Sequence, residues 1–208
     1  MLKNEVILFV PGAKDLSKWP GITQSIVLFF SKVLRFKPTY HDQVKVWKQK
    51  FIFKRRRVVW MHWDRGIGLI SKWFAKRKLS KLLKHYISDN VKLVGVSLGG
   101  DIILEVIRGN KYNNLKKIVL VCSINEIKNI SFEHPKIVNI YSRKDNFSRI
   151  AIELYSPIHG GDRLIGKNVE NVEIPNMTHD EFCNDAEIKG GKYKGKSVTW
   201  LVKHFLTD

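Results

Sequence analysis

The sequence predicts an α/β fold: a mostly parallel sheet of about six core strands with helices on both faces. Three observations predict it. Short apolar runs recur at Val6–Val10, Val58–Trp63, Val91–Val96, Lys117–Cys122, Lys136–Tyr141 and Val169–Ile174. Stretches with helical spacing lie between them. The runs are apolar with little alternation, as in strands buried on both faces by crossover helices.

The elements follow in chain order. Val6–Val10 is the first strand, and Pro11-Gly12 opens a loop that continues through Trp19-Pro20-Gly21. Ile22, Ile26, Phe29, Phe30 and Val33 then line one helix face. Residues 39–57 read as a basic hairpin or an irregular insertion, because Val44, Val46, Phe51 and Phe53 partly alternate around Lys48-Gln49-Lys50. Val58–Trp63 is a core strand closed by Asp64-Arg65-Gly66. Ile70, Trp73 and Phe74 share one helical face, and Leu79, Leu82, Leu83 and Tyr86 another, which allows a break between the two groups. Val91–Val96 is β-branched and follows a polar Asp89-Asn90 turn; Ile102, Ile103, Val106 and Ile107 then fall at helical spacing before a Gly109-Asn110 stop. Three more strands lead to a last helix with Val198, Leu201, Val202 and Phe205 on one face and Ser197 as its cap.

Composition sets the bounds. A chain of 208 residues, 44% hydrophobic, fits a single domain spanning 1–208. Val6–Val10 meets Pro11 too soon for a signal peptide. The longest apolar stretch, 22–34, is broken by polar residues and falls short of the roughly 20 that a membrane span needs. Two cysteines, Cys122 and Cys183, make no disulfide framework, and Cys122 reads as a small buried hydrophobe. A cytoplasmic location is the expectation. Thirty-seven basic residues against nineteen acidic ones give a net charge of +18. Such a surface attracts phosphate-rich polymers or anionic lipid. Lys54-Arg55-Arg56-Arg57 and the cluster Lys72, Lys76, Arg77, Lys78, Lys81 and Lys84 carry much of it. No zinc-finger, RNP-like or KH-type motif accompanies the charge, so specific nucleic-acid binding is not expected. Weak association with an anionic membrane surface is.

Chemistry enters where the third strand ends, at Gly95-Val96-Ser97-Leu98-Gly99. A serine on a tight strand-to-helix turn has strained dihedrals, and flanking glycines let neighbouring backbone pass without a Cβ clash. Its hydroxyl then projects above the sheet at a helix N-terminus, where the dipole favours an oxyanion. A serine nucleophile needs a base, and the base an orienting acid. Asp145 follows the strand ending at Tyr141, and His179 follows the one ending at Ile174, both at the carboxyl edge where parallel sheets build their sites.

The order Ser97, Asp145, His179 resembles that of the α/β-hydrolase superfamily, and the resemblance covers nearly the whole chain. It implies a serine hydrolase acting on an acyl compound, most often a carboxylic ester, without a cofactor. The short chain is similar to compact bacterial lipases with no large cap domain. Residues 39–57 are the only cap-like material and lie outside the usual cap position. The resemblance also implies an oxyanion hole from two backbone N–H groups: that of Leu98, after the nucleophile, and one from the loop after an early strand. That loop reads Val10-Pro11-Gly12-Ala13; Pro11 replaces the usual histidine and has no N–H, which leaves Ala13 as the second donor.

Rivals remain at this stage. Asp162 in "HGGDRL" is an alternative acid, and His159 before the same glycines is the second-best base. Asp101 follows the elbow too closely to face His179, and Asp180 points elsewhere. His62 either lines the pocket or sits satisfied in the core. Cys183 and His179 are four residues apart with no further ligand at zinc spacing, so no metal is expected. No glycine-rich phosphate loop with a lysine is present, which argues against nucleotide hydrolysis. The expected activity is a serine esterase, with a thioesterase or amidase as variants. A non-catalytic protein of the same fold, binding anionic polymer or membrane, is the alternative.

Overall fold

The computed structural model describes residues 4–12, 43–53, 56–63, 69–123, 129–131, 135–145 and 163–208. Six strands form one sheet in the order β2-β1-β3-β4-β5-β6. They are β1 (Glu5–Val10), β2 (Arg57–Trp60), β3 (Asn90–Val96), β4 (Leu115–Val121), β5 (Lys136–Tyr141) and β6 (Val169–Glu173). Every pairing is parallel, with Val6 opposite Arg57 and Val91, Lys117 opposite Lys136, and Ile137 opposite Val169.

Helices cover both faces because each core strand sends apolar residues both ways. On one face Ile7, Phe9, Val94, Val96, Val119, Val121, Val138 and Ile140 pack with α1 (Gln43–Lys50) and α5 (Val198–Thr207). On the other, Val6, Leu8, Leu93, Ile118, Leu120 and Ile137 pack with α2 (Leu69–His85) and α3 (Leu98–Arg108). A short helix, α4 (His179–Cys183), sits beyond the end of β6. The C-terminus of α5 is held by cations: Lys92 Nζ donates to the Leu206 carbonyl at 2.5 Å and Lys117 Nζ to that of Phe205 at 2.8 Å. Both sit at the negative end of the helix dipole.

Three expectations change. The segment expected as a basic hairpin contains α1 instead. Its packing residues are Trp47 and Phe51, one helical turn apart and both buried, while Val44 and Val46 are only partly covered. Trp47 and Phe9 place their ring centroids 5.3 Å apart, and Phe9 and Trp60 4.1 Å. The helix α2 runs unbroken, burying Lys72, Ala75, Leu79 and Leu83 on one stripe, while Ile70, Trp73 and Phe74 are exposed. Lys72 enters that stripe because Asp101 and Glu105 of α3 pair with its ammonium. The strand expected over Val58–Trp63 ends at Trp60. The helix expected around Ile22–Val33 lies outside the described residues, as do Lys54 and Arg55. Among the described residues no helix is long and apolar enough to cross a membrane.

Candidate active site

The chain moves from β1 to β2 on one side and returns to β3 on the other, so β1 and β3 are neighbours at a topological switch point. Parallel sheets open a crevice beyond the carboxyl ends of such strands. Ser97 stands there, between β3 and α3, with φ 54° and ψ −125°. Left-handed φ is costly for a residue with a Cβ and is held only when its surroundings fix it. The Ser97 N–H donates to the Val121 carbonyl at 2.9 Å, and the Ser97 carbonyl accepts from the Gly100 N–H at 3.0 Å. The Ser123 hydroxyl donates to that same carbonyl at 3.3 Å.

The glycines of the turn are required by contact. A Cβ on Gly99 would lie 2.1 Å from the Val10 carbonyl oxygen, and one on Gly95 2.7 Å from Gly100 Cα. Gly100 belongs with them, since its Cβ would meet Ser123 Oγ at 1.8 Å. The first two were legible in the sequence; Gly100 was not, because its neighbour comes from another strand end.

Ser97 Oγ does not cap α3. It lies 3.0 Å from His179 Nε2, and His179 Nδ1 lies 2.9 Å from Asp145 Oδ2. All three residues are buried, at 3%, 7% and 2% exposure for Ser97, His179 and Asp145, so this chain is shielded from bulk water. His179 opens α4, which begins with a capping box: the Thr178 hydroxyl accepts from the Glu181 N–H, and the Glu181 carboxylate accepts from the Thr178 N–H at 2.8 Å. Asn176 supplies the left-handed turn before it, φ 61°, a conformation asparagine tolerates. Ser142 ties the acid and base loops together. Its Oγ accepts from the Met177 N–H at 3.1 Å and the Lys144 N–H at 3.2 Å, and its carbonyl accepts from the Asp145 N–H at 3.0 Å. Nothing in the sequence spacing singles out Ser142.

The Leu98 N–H opens α3, where helix geometry leaves it without an intrahelical acceptor. The loop after β1 passes against the elbow, as the close approach of Val10 and Pro11 to Gly99 records. Ala13 lies outside the described residues, and so do Asp162 and His159. His62 is exposed and so is not a core histidine. Asp101 pairs with Lys72 of α2 at 2.5 Å.

Two cysteines flank the imidazole. Cys183 is one turn beyond His179 on α4, and Cys122 follows β4 with φ 41°. The thiol sulfurs and a His179 nitrogen all lie within 4.8 Å of one another, and all three residues are buried. The sequence reading weighed only the spacing of Cys183 and His179; Cys122 arrives from a different strand. A hydrogen bond from Cys122 and the charge of His179 hold the Cys183 thiol below its ordinary value against the opposing effect of burial. Burial raises Cys122, and the interaction with Cys183 adds to it. For His179 burial pulls downward, but the Asp145 carboxylate and the Cys183 sulfur outweigh it and raise the imidazole well above its usual value.

No protein-family model matches the chain, and no curated protein sequence does. Solved structures do. Alpha/beta hydrolase domain-containing protein 10 from mouse has a TM-score of 0.55 at 12% identity, covering 98% of this chain and 88% of its own. An α/β-hydrolase enzyme from the metagenome of Mar Chica lagoon sediments, Morocco, has a TM-score of 0.52 at 13% identity, covering 99% and 92%. An esterase from Exiguobacterium antarcticum has 0.51 at 10%, covering 88% and 87%.

Proposed function

We propose that this chain, which has the α/β-hydrolase fold, is a serine hydrolase cleaving a carboxylic ester or related acyl bond. One observation carries the reading: the hydrogen-bonded sequence Ser97 Oγ, His179 Nε2, His179 Nδ1, Asp145 Oδ2 at a strained turn that opens a helix. Ser97 attacks the acyl carbon as His179 Nε2 takes its proton, and Asp145 orients the ring and stabilises the imidazolium. The Leu98 N–H and, in this reading, that of Ala13 bind the oxyanion. His179 passes its proton to the leaving alcohol, then takes one from the water that cleaves the acyl-enzyme.

The exposed stripe of α2 favours a place of action. Ile70, Trp73 and Phe74 are exposed beside Arg77, Lys78, Lys81 and Lys84, and the Arg77 guanidinium lies 4.7 Å from the Trp73 ring centre. Aromatic and basic residues together suit the headgroup region of an anionic lipid layer. A protein that binds such a surface without catalysis is the second reading, on the strength of this same stripe.

The deciding experiment uses a fluorophosphonate probe and p-nitrophenyl esters of graded chain length. Wild-type protein should label and turn over. Ser97→Ala should lose labelling and at least about a thousandfold in kcat, since losing a nucleophile costs about as much as losing the whole triad. Absence of labelling in the wild type leaves the binder.

A further inference from the structure

We infer that Cys122, Cys183 and His179 form an inhibitory binding site for a thiophilic divalent cation, with zinc as the physiological ion. The donor set is two thiols and one imidazole, and the three donor atoms lie within 4.8 Å of one another, all on buried residues beside Ser97. Tetrahedral zinc with sulfur at about 2.3 Å and nitrogen at about 2.0 Å sets its ligands about 3.3–3.8 Å apart, so closing the site takes shifts on the order of 1 Å. Two thiolates neutralise the ion, and a neutral complex is the form a buried site tolerates. Binding releases the thiol protons to solvent.

The inhibition follows from His179. Both its ring nitrogens are committed, Nε2 to Ser97 and Nδ1 to Asp145. Whichever nitrogen takes the metal, one of the two contacts is lost, so coordination and the triad exclude each other. Where Nε2 takes the metal, Ser97 Oγ, 3.0 Å from it, stands near the separation of two corners of the same tetrahedron. The elements explain the convergence: β4 delivers Cys122 to the carboxyl edge, and α4 places Cys183 on the face of His179.

The coordination stands apart from the hydrolase reading, whereas the inhibition rests on it, and the test separates the two. Cadmium ion, added to the purified full chain, should produce a thiolate-to-metal charge-transfer band in the ultraviolet that saturates at one ion per chain. Cys122→Ala and Cys183→Ala should each weaken the band by the loss of one thiolate and raise the cadmium needed to saturate it about 100-fold, and His179→Ala should weaken cadmium binding about tenfold or more, none of which needs turnover. Zinc should inhibit ester hydrolysis, reversed by a chelator, with the half-point raised about 100-fold in either cysteine variant. No band in the wild type overturns the proposal without any variant having to fold. Equal half-points in the wild type and both cysteine variants overturn it too, as does a saturated band with full activity. A band with no hydrolysis in metal-free protein overturns the hydrolase reading and, with it, the inhibition.

Discussion

At the scale of single residues, the site depends on how one imidazole divides its attention. In the proposed mechanism His179 is the base only when neutral, and the Asp145 carboxylate and Cys183 sulfur beside it favour its charged form. Activity should therefore rise with pH through a value above that of an ordinary histidine. In Cys183→Ala one of the raising influences is gone while Asp145 stays. The acid limb of kcat/KM should move to lower pH, so the variant retains a larger share of its maximal rate just below neutrality. An unmoved limb would mean that the Cys183 sulfur carries no charge there. Ser97, Asp145 and His179 were legible in the sequence because each follows a strand, and a parallel sheet brings strand ends to one edge. Cys122, Ser142 and Gly100 were not, because their contacts join residues whose separation along the chain carries no period.

Among the elements, α1 departs most from expectation, and its role reaches the site. Trp47 is fully buried, and its indole Nε1–H donates to the Cys183 carbonyl at 3.0 Å, tying α1 to α4. Asp185, also buried, accepts from the Thr199 N–H and hydroxyl at 2.5 and 2.9 Å and faces Lys50 Nζ at 3.1 Å, joining the end of α1 to the start of α5. The partial alternation of valines pointed to a hairpin, yet Trp47 and Phe51 at i and i+4 decide the outcome, in a segment of lysine and glutamine that favours helix. Trp47→Ala should cost about 3–5 kcal/mol in urea unfolding from lost packing. Trp47→Phe, keeping most of the volume, should cost less and still lower turnover, because α4 loses its anchor. Full activity in Trp47→Phe would show that α4 is held without the indole. The helix α2 was legible as a helix but not in its orientation: its largest side chains face outward, and a lysine faces in because two carboxylates of α3 receive it.

For the whole molecule, the net charge is +18, and the described basic residues include two kinds. Lys72, Lys92 and Lys117 are engaged inside the fold, and Arg56 pairs with Glu5. Arg77, Lys78, Lys81 and Lys84 of α2 face outward. Binding to phosphatidylglycerol vesicles should be tight at low salt and fall steeply with ionic strength, as exposed charges are screened beyond about 10 Å at 0.1 M. Replacing Lys78, Lys81 and Lys84 by glutamine should weaken it by about two orders of magnitude, at about 1 kcal/mol per residue. Hydrolysis of a small soluble ester should be unchanged in that variant. Equal binding to neutral vesicles would remove the electrostatic account.

The position of β6 has a consequence for how the protein fails. It is an edge strand, paired with β5 alone among the described strands and burying little besides Val172, yet His179 follows from it. Ser97 belongs to the centre of the sheet and His179 to its margin. Edge elements with few buried contacts open at lower free energy than the global transition. In a urea series, ester hydrolysis should therefore vanish before far-ultraviolet circular dichroism reports loss of the sheet, and amides of 169–173 should exchange ahead of those in β3. Ligands that seat against His179 should close that gap, because they bind the margin to the centre. The first injury to this protein is then a parting of Ser97 from His179, with the scaffold still standing.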